Sequence, residues 1–140
     1  MAISKASASW QGTLKDGRGN MKPDHGSDVP FSLATRFEGV KGSNPEEMIG
    51  AALAGCFSMA LAASLSRAGL APTSIRTEAS VRLDKDGEGF SITQINLTTQ
   101  AQVPGIDAAK FETIAQETKK NCPVSKALAG TKIELSASLG

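Results

Sequence analysis

The sequence predicts an α+β fold in which antiparallel sheets pack on a long central buried helix and a second helix, within a single domain over residues 1–140. Two observations carry this prediction. Several segments alternate apolar and polar residues with a period of two, which is typical of half-buried strands. Between them, residues 48–66 form an uncharged run of nineteen residues, which is too long for one strand and favours a helix.

The N-terminal part is predicted to form two strands joined by a long loop. Residues 3–10 alternate weakly, as a strand does, whereas residues 15–30 are rich in Gly, Asp, Asn and Pro, which is typical of turns. Residues 31–38 place Phe31 and Phe37 on one face and Arg36 on the other. We therefore expect a second strand there, with Arg36 on its surface side.

The central helix has clear start and stop signals. Asn44 can be its N-cap, Pro45 suits the first helical position, and Glu47 falls where a capping box needs an acidic residue that reaches back to the cap. The uncharged run then continues to about Ala68, and Gly69 is suited to the left-handed conformation that ends many helices.

The C-terminal half is predicted to contain a hairpin, two helical pieces and a last strand. Residues 73–86 alternate cleanly, residues 85–89 form a turn, and the strand after it slips near Gln94, as a β-bulge would. Asp107 can cap a second helix that runs to about Lys120. A short helical piece over 122–129 and a strand over 131–139 close the chain.

The uncharged run has two alternative interpretations, a membrane span or a core helix. It is long enough to span a bilayer, but about half of it is Ala or Gly and no aromatic belt flanks it, so we expect no membrane association. Small residues at four-residue spacing, from Gly50 to Ala62, let another backbone approach closely. Since a short chain cannot surround such a helix alone, we expect a homodimer that buries two of them together.

Composition excludes several classes of function. Fifteen basic and fourteen acidic residues give a net charge of +1, and aromatic residues are scarce, so we expect no nucleic-acid partner. The first residues lack a signal-peptide pattern, which favours a cytoplasmic location. One histidine, His25, and two distant cysteines make a metal site improbable, and no cofactor is implied. We expect His25 to be an exposed loop residue.

Local sequence alone favours Cys122 over Cys56 as the reactive thiol. Cys56 lies in the middle of the apolar helix, where burial should raise its pKa and leave it inert. Cys122 precedes Pro123 at the start of a helical piece, where unpaired backbone N–H groups favour thiolate. The alternatives are that Cys56 fills space and that Cys122 only caps its helix.

The motifs RFEG, NPEEMIGAALAGCFSMAL, PTSI, VPGID and NCPVSKAL, in this order, closely resemble the OsmC/Ohr family of thiol-dependent hydroperoxide reductases. The OsmC branch is the closer match because Arg36 stands shortly before the Asn-Pro-Glu helix. The resemblance runs from about Ile3 to Leu139. One departure is Gly55, where relatives usually carry Ala, and we expect it to loosen packing around Cys56.

The resemblance implies a role for each of four residues. Cys56 matches the peroxide-attacking cysteine and Cys122 the resolving cysteine, while Arg36 matches the arginine that keeps the first thiol ionised and Glu46 its acidic partner. The family also implies an interlocked homodimer, organic hydroperoxide substrates, and dithiols or lipoylated proteins as reductants. Apolar residues near the site would then contact the alkyl tail: Phe37, Met48, Ile49, Phe57 and Met59. The rival interpretation is a non-catalytic dimeric stress protein with structural cysteines.

Helix geometry adds a constraint on the site. Glu46 and Cys56 are ten residues apart on one predicted helix, or about 15 Å along its axis. Glu46 therefore cannot serve the Cys56 of its own helix directly. We expect each site to take Arg36 and Glu46 from one subunit and both cysteines from the other.

Overall fold

The computed structural model describes all residues from Met1 to Gly140, and they form two compact units, Met1–Met48 and Ile49–Gly140. The predicted α+β class is confirmed, whereas a single domain over 1–140 stays a prediction. The strands and helices are, in chain order, β1 (Ala6–Gln11), β2 (Arg18–Pro23), β3 (Val29–Phe31), α1 (Leu33–Phe37), α2 (Pro45–Arg67), β4 (Ser74–Asp86), β5 (Gly89–Gln102), α3 (Ala108–Asn121), α4 (Pro123–Ala127) and β6 (Lys132–Leu139).

The first unit is built on an antiparallel sheet in the order β1-β2-β3. Gly19 on the central strand pairs with Trp10 on one side and with Phe31 on the other. The two rings meet over it with their centroids 5.6 Å apart. A Cβ at position 19 would lie 2.6 Å from the Phe31 ring and 2.7 Å from the Trp10 ring, so only glycine permits this aromatic contact.

The predicted strand over 31–38 is wrong, because the chain turns into helix α1 directly after Phe31. Ser32 decides this. Its Oγ accepts the Thr35 N–H at 3.2 Å, and its own N–H donates to Thr35 Oγ1 at 2.9 Å, which is a complete capping box. Arg36 therefore lies on a short helix. The predicted loop over 15–30 is also partly wrong, since it contains β2.

The predicted start and end of the central helix α2 are confirmed. Asn44 Oδ1 accepts the Glu47 N–H at 2.9 Å, and Gly69 has a φ of 79° just beyond the helix. One detail differs from the predicted capping box. The Glu47 side chain does not reach back to Asn44 but accepts a hydrogen bond from Ser43 Oγ at 2.9 Å.

The second unit contains a sheet in the order β4-β5-β6, of which only the β4–β5 pair is antiparallel. The expectation of antiparallel pairing throughout is wrong for β6, which pairs parallel with β5. The reason is the long crossover through α3 and α4, which returns the chain in the same direction. The predicted bulge is confirmed, because Gln94 pairs with Arg82 and Ile92 with Leu83, so Thr93 is left over.

The hydrophobic core lies in the second unit, where one face of α2 packs with β5 and α3. The helix contributes buried residues at four-residue spacing, namely Leu53, Phe57, Leu61 and Leu65. Its opposite face is exposed in the single chain, at Ala51, Ala52, Gly55, Met59 and Ala63. The expected burial of the helix is therefore met on one face only. By length and composition α2 could cross a membrane, but a core helix passes the same test.

Candidate active site

The two cysteines meet in the second unit. Cys56 lies in the middle of α2, Cys122 lies between α3 and α4, and their Sγ atoms are 2.8 Å apart and joined by a hydrogen bond. Both are free thiols. Cys122 is only 1% exposed, whereas Cys56 is partly accessible. The fold therefore brings together two sulfurs that are 66 residues apart in the chain, as the sequence led us to expect.

The backbone holds Cys122 firmly at the junction of the two helices. Its N–H donates to the Thr118 carbonyl at 2.9 Å at the end of α3, and its carbonyl accepts the Lys126 N–H at 3.0 Å in α4. Pro123 occupies the first turn of α4, where a missing N–H costs nothing. Both neighbouring helices therefore anchor the backbone of this residue.

The surroundings move the pKa values of the two thiols in opposite directions. Burial raises the pKa of Cys56, and its hydrogen bond with Cys122 raises that pKa further, against a smaller lowering by the Val124 N–H. Burial also acts to raise the pKa of Cys122. Hydrogen bonds to the ionised sulfur from Cys56 and from the Ser125 and Val124 N–H groups, together with the nearby Ser125 hydroxyl, outweigh it, so that the pKa of Cys122 falls below its usual value.

These directions agree with the expectation from local sequence that Cys122 is the easier thiol to ionise. They also show what Cys56 lacks within its own unit. Nothing there favours its charged form strongly enough to overcome burial and the neighbouring sulfur. A cation brought near Cys56 from outside its unit would favour the thiolate.

Arg36 and Glu46 form an ion pair in the first unit. Arg36 Nε lies 3.0 Å from Glu46 Oε1 and 3.2 Å from Oε2, and Arg36 Nη2 lies 2.5 Å from Oε1. The Glu46 side chain is buried and the Arg36 side chain is 35% exposed. These bonds use Nε and Nη2, so they fix the guanidinium plane and leave Nη1 for another acceptor. The guanidinium also lies 5.2 Å from the ring centroid of Phe37.

A cavity of about 320 Å³ opens beside Arg36 in the first unit. Its walls are mainly apolar and come from β1, β3, α1 and the loop after β1: Trp10, Leu14, Phe31, Ser32, Leu33, Arg36 and Phe37. Of the residues expected to line a substrate pocket, only Phe37 does so here. Phe57 is instead fully buried in the core, and Met59 is 79% exposed.

The structure thus joins the four predicted site residues into two pairs, one in each unit. Sequence reasoning missed the cavity residues Trp10 and Leu33, and it missed Ser125, whose N–H and hydroxyl both act on Cys122. A signal for Ser125 was present. A serine three residues after a cysteine, at the start of a helix, falls within one turn of the sulfur.

Three further expectations concern His25, a metal site and Gly55. His25 is exposed in its loop, as expected, and Nε2 lies 3.7 Å from an Asp24 oxygen. No group of three or more His, Cys, Asp or Glu side chains is placed to hold a metal ion. Gly55 is exposed, and a Cβ there would meet no atom of this chain, so its expected loosening of the packing around Cys56 is not seen within the chain.

Comparison with known sequences gives consistent results. The family model for OsmC, described as OsmC-like protein, matches residues 38–136. The chain is 52% identical over 126 residues to peroxiredoxin OsmC of Escherichia coli strain K12, covering 89% of this chain and 88% of that protein. It is 29% identical over 119 residues to the organic hydroperoxide resistance protein of Xanthomonas axonopodis pv. citri, covering 83% and 81%.

Solved structures share the fold. An OsmC-like protein of unknown function from Vibrio cholerae superposes with a TM-score of 0.78 at 18% identity, covering 98% of this chain and 99% of that one. The organic hydroperoxide resistance protein OhrB of Bacillus subtilis gives a TM-score of 0.68 at 25% identity, covering 97% and 98%. With a family match over most of its length and a relative that shares half of its residues, this chain belongs to the OsmC-like protein family.

Proposed function

We propose that this protein is a cysteine-based peroxidase that reduces organic hydroperoxides, and hydrogen peroxide more weakly, at the expense of a dithiol. Its relatives are named peroxiredoxin and organic hydroperoxide resistance protein, which makes the chain a peroxide-detoxifying oxidoreductase. The observation that carries the thiol mechanism is the 2.8 Å contact between two free sulfurs, one accessible and one enclosed. Structural thiols need no such contact.

The first step is oxidation of Cys56. Its thiolate attacks the terminal oxygen of the hydroperoxide, the O–O bond breaks, and sulfenic acid forms while the other oxygen takes up a proton and leaves as alcohol. Arg36 has two roles in this step. Its positive charge favours the thiolate, and its N–H groups stabilise the negative charge that develops on the leaving oxygen. Glu46 orients the guanidinium through their paired hydrogen bonds.

The second step closes a disulfide. Cys122 attacks the Cys56 sulfenic sulfur, the S–S bond forms, and the sulfenic oxygen leaves as water. A dithiol then reduces the disulfide by two exchange reactions and leaves as its own disulfide. Small dithiols and lipoylated proteins fit this role because their second thiol completes the exchange within one molecule. We place this chemistry in the cytoplasm, where such reductants keep thiols reduced.

The cavity beside Arg36 suits the organic part of the substrate. Trp10, Leu33 and Phe37 supply apolar walls, and the guanidinium is the one charged group among the lining residues. An alkyl or aryl tail would bury apolar surface there with its peroxide end near the cation. Hydrogen peroxide has no such tail, which is why we expect it to be the poorer substrate.

We further propose that two copies of the chain form an intertwined homodimer, with each site shared between subunits. Arg36 and Glu46 would come from one subunit and both cysteines from the other. Two observations support this. The exposed face of α2 consists of small residues and Met59, which suits close contact with a second helix. All residues of strand β1 are exposed as well, although an antiparallel sheet normally packs one of its faces against other parts of the protein.

Subunit mixing tests the shared site. An Arg36→Met variant and a Cys56→Ser variant are each expected to be inactive. In a mixed dimer, however, Arg36 from the second variant would face Cys56 from the first, so one of its two sites would be intact. Unfolding and refolding the two variants together should therefore restore about a quarter of the wild-type activity, because half of the dimers are mixed and half of their sites work.

Two controls accompany the mixing experiment. Each variant refolded alone should stay inactive, and sedimentation should give a dimer for the native protein at micromolar concentration. A stable monomer would contradict the dimer. Dimers that regain no activity on mixing would instead place all four residues of a site in one chain.

A coupled peroxidase assay tests the activity itself. Cumene hydroperoxide and hydrogen peroxide are compared as substrates, each with dihydrolipoamide and with a monothiol as reductant. We expect turnover with cumene hydroperoxide and dihydrolipoamide to exceed the other combinations by about tenfold or more, since binding the organic group in an apolar pocket contributes a few kcal/mol. Absence of peroxide consumption in every combination would support the alternative, a non-catalytic stress protein with structural cysteines.

A further inference from the structure

Ser125 is the one buried side-chain polar group of the chain that is left without a hydrogen-bond partner of normal geometry. The residue is only 6% exposed, so water does not readily reach the hydroxyl. Buried hydroxyls are normally paired, because leaving one unpaired costs about 1–3 kcal/mol. An exception of this kind calls for a functional explanation.

The position of Ser125 points to its partner. It lies three residues after Cys122, at the start of α4, which is less than one helical turn and places its side chain near the Cys122 sulfur. Cys122 itself provides no side-chain hydrogen bond to cap α4. The hydroxyl and the sulfur are therefore two enclosed polar groups within one turn of each other, and no hydrogen bond joins them in the thiol state.

We propose that Ser125 is a positioning residue for disulfide closure, whose hydroxyl donates a hydrogen bond to the Cys122 thiolate and holds that sulfur against Cys56. A thiol is a weak acceptor, whereas a thiolate accepts strongly. The bond therefore forms when Cys122 loses its proton, and it stabilises the charged form. The Ser125 hydroxyl, which is unpaired in the resting protein, is then the donor to the Cys122 thiolate.

This inference rests on the proposed function, since it assigns Ser125 to the resolving step. In that step the Cys122 thiolate attacks the Cys56 sulfenic sulfur, the S–S bond forms and the S–O bond breaks. The departing hydroxide takes up a proton and becomes water. Ser125 is neither oxidised nor deprotonated. It releases the sulfur as the negative charge disappears, so its effect is confined to the thiolate and to the approach to the disulfide.

The first test is a titration of Cys122 alone. Cys56→Ala leaves one thiol, whose ionisation is followed through the ultraviolet absorbance of the thiolate and through the pH dependence of alkylation. Adding Ser125→Ala should raise the pKa of Cys122 by about one unit, a tenfold change in its ionisation constant, because a hydrogen bond to the charged form is lost. Adding Ser125→Thr should keep the pKa low, since the hydroxyl is retained.

Ser64→Ala is the matched control. Ser64 is another partly buried serine that faces the core side of α2, and its hydroxyl bonds to Thr118 rather than to a cysteine. This variant should leave the Cys122 titration unchanged. If Ser125→Ala does not fold by circular dichroism, the pair Ser125→Thr and Ser125→Val provides the same comparison, because these side chains have similar shapes and differ in the hydroxyl.

The second test measures closure of the disulfide in the chain with both cysteines. After one equivalent of peroxide, Ser125→Ala should accumulate trappable sulfenic acid and close the disulfide about tenfold more slowly than wild type at neutral pH, in proportion to the lost thiolate. The inference would be overturned if Ser125→Ala and Ser64→Ala had the same pKa of Cys122 and the same rate of disulfide closure. The titration uses no peroxide, so a protein inactive toward peroxide would refute the proposed function without deciding the role of Ser125.

Discussion

Cys56→Ser is expected to abolish hydroperoxide turnover, with a loss on the order of a thousandfold or more. A serine hydroxyl stays protonated at neutral pH and is a poor nucleophile toward peroxide oxygen, whereas a thiolate is a strong one. The readout is peroxide consumption with dihydrolipoamide as reductant. Full activity in this variant would rule out the mechanism.

Cys122→Ser is the matched control, because it removes the other sulfur of the contacting pair. This variant should consume one equivalent of peroxide per site and then stop, since Cys56 sulfenic acid has no neighbouring thiol with which to condense. Counting free thiols and trapping sulfenic acid after one equivalent separates the two variants. If Cys122→Ser is inert while Cys56→Ser still reacts, the roles of the two cysteines are reversed, as local pKa directions alone would favour.

Arg36→Ala is expected to raise the pKa of Cys56 by about 1–3 units, because a cation near a thiolate lowers the pKa by that amount. Burial and the hydrogen bond with Cys122 already raise the pKa of Cys56 within its own unit, and only the smaller lowering by the Val124 N–H would then oppose them. A raised pKa leaves less of Cys56 ionised at a given pH. At neutral pH the thiolate fraction and the rate of peroxide reduction both fall, and both recover as pH is raised through the new pKa. The alkylation rate of Cys56 in a Cys122→Ser background measures this pKa.

Arg36→Ala leaves the Glu46 carboxylate without its ion-pair partner, and the control variants separate this effect from the effect on Cys56. Glu46 is buried, so losing its partner destabilises the protein as well. A double variant, Arg36→Ala with Glu46→Ala, removes the orphaned carboxylate and should show the same raised pKa of Cys56. Arg36→Lys keeps the charge but loses the paired hydrogen bonds, and we expect an intermediate rate. An unchanged pKa of Cys56 in all three variants would show that Arg36 does not act on that sulfur.

The ends of the central helix were predictable from residues close to them in the sequence. Asn44, Pro45 and Gly69 specify where α2 begins and ends through hydrogen bonds and conformations that involve only near neighbours, and the structure confirms them. The bulge at Thr93 and the cap at Asp107 belong to the same class. Such features were predictable because the interacting groups lie within a few residues of each other in the chain.

The segment around Arg36 shows where local signals conflict. Apolar residues at every second position suggested a strand, but the bonds between Ser32 and Thr35 start a helix instead. The parallel pairing of β6 likewise depends on how α3 and α4 cross the sheet. Alternation describes which faces are apolar, and it does not specify which competing set of hydrogen bonds forms.

The sequence by itself determined the α+β class and the ends of the main helices, and its family motifs singled out the two cysteines and the arginine–glutamate pair. Only the tertiary structure decided that the two sulfurs lie 2.8 Å apart and that the enclosed Ser125 hydroxyl has no hydrogen-bond partner. The physical reason is that the distance between two side chains and the satisfaction of a buried hydroxyl depend on packing and solvent exclusion. Both are set by groups far apart in the chain, so a pattern of residue types cannot specify them.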